Sequence, residues 1–262
     1  MMGLIDTHAH LTSEPLLTRI DEVLANGRAA GVEAVISVAT DAADSEKAIA
    51  LARREPDVYA TVGIHPHEAS KVAPDDWAKL ETLLDDPQVV AFGEIGLDYH
   101  YDFSDPPTQR RVFVRQLELA ATRDLPVIIH CREAMSDIVS LLADHGFDNR
   151  RVVFHCFSGS GDDAALVADH GWRISFTGMV TFKKSQALQQ IAAVYSAELL
   201  MLETDSPYLS PVPVRNKRPN EPAHLRHLAE FLADLRNESI DTLISQTTTN
   251  AGEFFGLTSR GP

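Results

Sequence analysis

What most constrains this chain is an alternation that runs along its whole length. Short apolar, β-branched runs at Leu4–Asp6, Ala34–Val38, Val58–Gly63, Val89–Phe92, Val127–Ile129, Val152–Phe154, Arg173–Phe176 and Leu199–Leu202 have the length and residue types of strands. Between them lie segments with helical spacing: Leu17–Ala30, Asp44–Arg54, Asp75–Asp85, Gln109–Thr122, Glu133–His145, Asp162–Asp169 and Ser185–Tyr195. Two more, around Ala223–Leu235 and Ile240–Phe255, follow the last run. Pro74-Asp75-Asp76 suits a first helical turn, and Gly31, Gly146 and Gly171 stand where helices should stop. Strands separated by helices pair in parallel, because a parallel return needs a crossover, and eight such units close naturally into a barrel. The predicted fold class is therefore α/β: a single (β/α)8 or TIM-barrel domain over residues 1–262, with room for distortion and with an extra C-terminal helix. An open doubly wound sheet would usually place a glycine-rich phosphate loop after its first strand, and here that position holds Thr7-His8-Ala9-His10.

Composition narrows the function classes. The chain has 262 residues, close to the roughly 250 of a typical barrel. No apolar run approaches the roughly 18 residues of a membrane span, and the N-terminal stretch lacks the basic region of a secretory signal. Two cysteines, Cys131 and Cys156, are too few for a disulfide framework. The expectation is a cytoplasmic protein with no membrane partner, no obligate protein partner and a monomeric state. With 38 acidic against 23 basic residues, the formal charge is −15. That argues against a protein that coats duplex DNA, which needs a broad basic face. It leaves open an enzyme that holds nucleic acid briefly at a cation-binding site.

Barrel chemistry sits at the C-terminal ends of the strands. There the sequence places His8 and His10 after the first run, His65 after the third, Glu94 after the fourth, His130 after the fifth, His155 after the sixth, and Glu203 and Asp205 after the eighth. In an extended segment His8 and His10 face one side, with the small Ala9 between them. A histidine alone at any of these sites is most simply a hydrogen-bonded core residue. Convergence of His8, His10, Glu94, His130, His155 and Asp205 on one rim points instead to metal. Six ligands exceed the three of a catalytic zinc site, so two divalent cations sharing a carboxylate fit better. Imidazole with carboxylate suits zinc or manganese, and magnesium less readily. Cys131 and Cys156 each follow a candidate histidine and are expected to turn away from the metal and pack as small apolar groups.

These segments resemble the TatD family of metal-dependent deoxyribonucleases, within the amidohydrolase-like barrels. The resemblance rests on Ile5-Asp6-Thr7-His8-Ala9-His10, Gly63-Ile64-His65-Pro66-His67, Gly93-Glu94-Ile95-Gly96-Leu97-Asp98-Tyr99, Pro126-Val127-Ile128-Ile129-His130-Cys131-Arg132, His155-Cys156-Phe157-Ser158-Gly159, Glu203-Thr204-Asp205-Ser206-Pro207-Tyr208 and Arg215-Asn216-Lys217-Arg218-Pro219-Asn220. Their order and spacing carry the specificity. One departure is Thr12, where the family commonly has Asp or Asn; it removes no ligand. The resemblance implies that His8, His10 and Asp205 hold one metal, that His130 and His155 hold a second, and that Glu94 bridges them. It also implies hydrolysis of DNA, with 3′-to-5′ trimming of single strands.

Under that reading Asp205 takes the proton from the attacking water, and His65 serves the scissile phosphate or the leaving group. Arg132, two residues past His130, suits a phosphate or a salt bridge to a neighbouring acid. Glu203 orients a ligand histidine, and Tyr208 is placed to stack on a base. Arg215, Asn216, Lys217 and Arg218 form a basic cluster in a proline-rich loop, with Lys183 (and Lys184) as an addition, and barrel enzymes often bind phosphate with late loops. Two alternatives use the same residues. One is an ester or amide hydrolase, such as a D-aminoacyl-tRNA deacylase. The other is an inactive barrel that only binds metal or a partner.

Overall fold

The computed structural model describes residues 3–257. Among them, eight strands form one sheet in sequence order: β1 (Leu4–Ala9), β2 (Val32–Ser37), β3 (Val58–Val62), β4 (Val89–Asp98), β5 (Val127–Arg132), β6 (Val152–Phe154), β7 (Arg173–Phe176) and β8 (Leu200–Leu202). Every neighbouring pair is parallel. The crossovers are α1 (Glu14–Leu17) with α2 (Ile20–Ala29), then α3 (Ala42–Arg54), α4 (Pro74–Leu83), α5 (Pro106–Ala121), α6 (Met135–Asp144), α7 (Gly161–Asp169) and α8 (Gln186–Val194). Two helices, α9 (Leu225–Arg236) and α10 (Ile240–Phe255), follow β8. The fold is the TIM barrel expected from the alternation.

Local chemistry sets the helix ends. Asp41, Asp105, Ser160 and Ser239 each accept a hydrogen bond from a backbone N–H in the first turn of α3, α5, α7 and α10. Gly31, Gly146 and Gly171 follow α2, α6 and α7 with left-handed φ of 88°, 76° and 68°, the conformation that stops a helix. The first crossover, expected as one helix, is two: Arg19 leaves helical geometry with φ −132° and splits α1 from α2.

The seam of the barrel closes at its C-terminal rim. Ala9 bridges Ser206 in parallel, His10 N donates to Ser206 O at 2.7 Å, and Asp205 N donates to His8 O at 2.9 Å. Two distant pieces of sequence are thereby fixed side by side. At the opposite end, α10 acts as a plug. Its Ala251, Phe254 and Phe255 pack with the inward residues Ile36, Ala91, Ile128, Val153 and Met201. Its side chains also bond strand starts, Thr248 Oγ1 to Gly3 O at 2.7 Å and Asn250 Nδ2 to Leu200 O at 2.8 Å. With one mouth stoppered by apolar rings, the polar rim is the open mouth.

Strands β4 and β5 run further than the apolar pattern indicated, to Asp98 and Arg132. Gly96 makes this possible. Its φ is 142°, and a Cβ there would meet the His130 carbonyl oxygen at 2.1 Å, so only glycine lets the two strands stay paired past Glu94 and His130.

Candidate metal centre and active site

Each ligand-type side chain expected at a strand end reaches the open mouth, and Glu94 stands at their centre. Its Oε1 lies 2.5 Å from His155 Nε2, 2.7 Å from His130 Nδ1 and 3.4 Å from His65 Nε2. Its Oε2 lies 3.4 Å from His8 Nε2 and 3.7 Å from His10 Nε2. Asp205 Oδ1 completes the second side, 3.4 Å from His10 Nε2 and 3.9 Å from His8 Nε2. The two oxygens of one buried carboxylate therefore face two separate groups of imidazoles.

Outer partners decide which imidazole nitrogen faces inward. His10 Nδ1 is 3.1 Å from the Val38 carbonyl, which can only accept, so the proton sits on Nδ1 and the Nε2 lone pair points at the centre. His130 Nε2 is 2.9 Å from Asp98 Oδ2, which leaves Nδ1 for the centre. His155 Nδ1 faces Glu203 Oε1 at 3.4 Å. Glu203 is held in turn by Cys156 N at 2.6 Å and Ser175 Oγ at 2.7 Å. Asp6 links the first and last strands, accepting from Thr204 N at 2.9 Å and Thr204 Oγ1 at 2.6 Å.

Burial and mutual proximity shift the ionisable groups. Burial alone would raise Glu94, but His155, His65 and His130 hold it well below the usual carboxylate range. Burial would lower His155, yet Glu94 and Glu203 hold it well above the usual imidazole value. Asp205 is below its ordinary value despite burial, through its hydrogen bond to His10. Asp98 is likewise lowered against its burial, by His130 and the Tyr101 amide. Burial takes His65 down to about 4, and lifts Asp6 to about 7 against the bonds from Thr204.

The arrangement fits divalent cations. His8 Nε2 and His10 Nε2 face each other at 3.3 Å, an approach that a shared cation makes favourable. His8 Nδ1 is buried with no hydrogen-bond partner among the described residues. Ligand atoms of His8, His10 and Glu94 lie within 4.8 Å of one another, as do those of Glu94, His130 and His155. Glu94 belongs to both sets, and imidazole with carboxylate is a zinc- or manganese-type donor set.

A cavity of about 820 Å³ opens over this cluster, with Asp205, His65, Arg132 and Tyr208 in its wall. Arg132 stacks over the Tyr101 ring at 4.8 Å. Arg215, Asn216, Lys217 and Arg218 are exposed and are not among the residues that line this cavity. Arg215 stacks on Phe182 at 4.0 Å, beside the exposed Lys183. Neither cysteine enters a metal-ligand set among the described residues. Cys131 packs against the core but also edges the cavity, and so does Cys156. β6 ends at Phe154 and Cys156 has φ 45°, so strand alternation no longer governs its side chain.

Three rim residues carried no assigned role from sequence: His67, Asp98 and Tyr101. His67 Nε2 is 2.8 Å from Asp98 Oδ2, which also holds His130. His65-Pro66-His67 repeats the His-x-His spacing of His8 and His10, which was a usable signal. Asp98 was hidden because the apolar run stops at Phe92; with β4 continued, residues 94, 96 and 98 share a face.

A TIM barrel whose open mouth gathers this histidine–carboxylate set defines the class of metal-dependent hydrolases. Within that class, the family described as TatD related DNase matches residues 5–256, and the chain belongs to it. An uncharacterized metal-dependent hydrolase of Bacillus subtilis, YabD, is 36% identical over 254 residues, covering 97% of this chain and 99% of that protein. The 3'-5' ssDNA/RNA exonuclease TatD of Erwinia tasmaniensis is 37% identical over 259 residues, covering 97% of this chain and 100% of that protein. Among solved structures, YJJV, a TatD homolog from Escherichia coli K12, superposes with a TM-score of 0.93 at 30% identity, covering 98% of this chain and 100% of that one. No helix among the described residues is long and apolar enough to cross a membrane.

Proposed function

We propose that this protein is a two-cation exonuclease that trims single-stranded DNA from the 3′ end. The observation that carries the reading is the division of Glu94: Oε1 toward His130 and His155, Oε2 toward His8 and His10. His8, His10 and Asp205 would hold one cation, His130 and His155 the other, and Glu94 both. Bound there, divalent cations supply Lewis acidity toward a phosphodiester and a water of lowered pKa. The relative from Erwinia tasmaniensis supports the substrate class, since it bears the name of an exonuclease acting on single-stranded DNA and RNA.

The chain's own groups do the rest. Asp205 is 13% exposed where Glu94 is 2% and Glu203 1%, so of these three carboxylates it is the one able to meet a water and accept its proton. His65 Nδ1 accepts the His67 amide at 3.1 Å, which places its proton on Nε2. That nitrogen is a donor at the edge of the cluster, 3.4 Å from Glu94 Oε1 and 3.2 Å from His130 Nδ1, suited to a phosphate oxygen or to the leaving oxygen once those groups hold cations. Arg132 offers a planar fork to a strand phosphate. Tyr208 stands beside His10, ring centroids 6.1 Å apart, where a base can lie against it.

The test is end-labelled single-stranded DNA incubated with metal-stripped protein, in parallel with Mg2+, Mn2+, Zn2+ or chelator, and with Asp205→Asn as the control. Asparagine tolerates the left-handed φ of 52° at this position, so the fold is kept. We expect metal-dependent shortening from the 3′ end and a loss of roughly 10²–10⁴-fold in the control. Absence of cleavage with every ion, while bound metal is confirmed by elemental analysis, would transfer the reading to ester hydrolysis, with charged tRNA as the next substrate.

A further inference from the structure

A contiguous exposed apolar patch marks a binding surface, and two exposed tyrosines stand at the mouth of this cavity, one of them extended by an exposed phenylalanine. Phe103 is 62% exposed, Tyr208 59% and Tyr101 43%. Tyr101 and Tyr208 both line the cavity that contains the metal-ligand cluster. Tyr101 and Phe103 lie in the loop between β4 and α5 and form a continuous surface, with centroids 5.6 Å apart and planes tilted by 36°. The Arg132 guanidinium covers one face of Tyr101 at 4.8 Å.

The loop is held, not loose. Asp98 Oδ1 accepts the amides of His100 and Tyr101 at 3.0 and 2.9 Å, just past the end of β4. Ser104 Oγ ties the loop's far end to His67 O at 3.1 Å. The His67 ring packs on Phe103 at 4.7 Å and edge-on to Tyr101 at 5.6 Å. The rings are thus preorganised, and ligand binding would not have to order them.

We infer that Tyr101 and Phe103, with Arg132, form a platform on which an unpaired base of the substrate strand stacks. This rests on the nuclease reading above and deepens it by naming what the rim selects. Aromatic faces beside a cationic fork are the means by which proteins hold single strands without reading sequence. In a duplex the interior bases are covered on both faces, and the one open face, at the terminal pair, brings the partner strand with it. The platform therefore selects strands whose bases are unpaired near the cleavage end, whatever those bases are. An acidic protein gains particular use from this, because stacking does not depend on neutralising phosphates.

The experiment compares a ten-nucleotide DNA strand with the same strand lacking the bases of its three 3′-proximal nucleotides, using metal-loaded protein. The readout is the ratio of kcat/KM for the complete strand to that for the base-less strand. In the wild type this ratio is expected to be roughly tenfold or more, the effect of one base–aromatic stack. In a Tyr101→Ala, Phe103→Ala double variant it should fall several-fold, to what Tyr208 alone supports, while Tyr101→Phe, which keeps the ring, should preserve it. A ratio unchanged in the double variant, or a wild type that cleaves both strands equally well, would overturn the platform. A wild type that cleaves neither strand with any ion would instead defeat the nuclease reading, and the platform with it.

Discussion

An imidazole has two nitrogens, and at His10, His130 and His155 the group facing the outer one decides what the inner one can do. Val38 O sets His10, Asp98 sets His130, and Glu203 faces His155. Glu203 enters no metal-ligand set, yet it is 1% exposed and bonded on both oxygens, so its position is as constrained as that of a ligand. Glu203→Gln should keep the fold, its amide oxygen remaining beside Cys156 N and His155 and its NH2 turning to Ser175 Oγ, but it removes the negative charge that faces His155. Metal affinity, read by competition with a chromophoric chelator, should fall about 10–100-fold, with turnover recovered at saturating metal. Unchanged affinity would reduce Glu203 to a packing residue. The same logic gives Asp98 its role, since it holds His67 and His130 at once, a pairing that no local pattern displays.

The segment between β8 and α9 shows how an element with little regular structure is kept in place. Asn220 is fully buried, and its Nδ2 donates to Thr204 O at 3.0 Å and Tyr208 O at 2.6 Å. Both its amide hydrogens are used, so its Oδ1 must accept from His224 Nδ1, 2.9 Å away. Thr204 adjoins Asp205, the proposed ligand, so this knot fixes the rim and the root of the basic loop together. Asn220→Ala leaves buried carbonyls unpaired and should cost about 1–3 kcal/mol, measured as a lower urea midpoint. A midpoint equal to that of the wild type would show the loop to be held by other contacts. His224 adds a pH dependence. Burial, with His227 and Lys217 nearby, lowers it to about 4, against an ordinary value near 6.5. Between those values the unfolded chain binds the extra proton, so stability is lost as pH falls from about 6.5 toward 4. His224→Gln can still donate to Asn220 but cannot titrate, and its urea midpoint should fall less between pH 7 and pH 5. Equal falls in both proteins would exclude His224 as a source of acid sensitivity.

For the molecule as a whole, the rim gathers His8, Glu94, His130, His155 and Asp205 from five separate strand ends, so a cation held by them would tie those strands together and stabilise the barrel. A cation at about 100 times its dissociation constant stabilises by about 2.7 kcal/mol. For a chain of this size that corresponds to roughly 5–10 °C in Tm. Chelator-treated protein should melt lower by that order in a thermal scan and recover when metal is restored. An unchanged Tm would mean that the ligands are held without metal. The net charge of −15 fits the same picture, in which nucleic acid is engaged locally, at metal and rings, and not through a basic surface.

The alternation of β-branched runs with helical spacing determined the barrel by itself, because parallel strands need crossovers and eight units close on themselves. The residue types at the strand ends likewise marked the metal rim, and the helix stops at Gly31, Gly146 and Gly171 were readable from glycine's freedom at positive φ. Tertiary structure alone decided the rest. The seam that sets His8 beside Asp205 joins segments nearly two hundred residues apart, which no local pattern encodes. The true length of β4 depended on Gly96 approaching β5, and only with that length did Asp98 and Tyr101 reach the rim. The basic cluster, conspicuous in sequence, does not line the cavity, whereas Tyr101, given no role from sequence, stands in its wall with Phe103 packed beside it. Sequence reports what each residue is able to do; distance and burial decide which of those abilities meet.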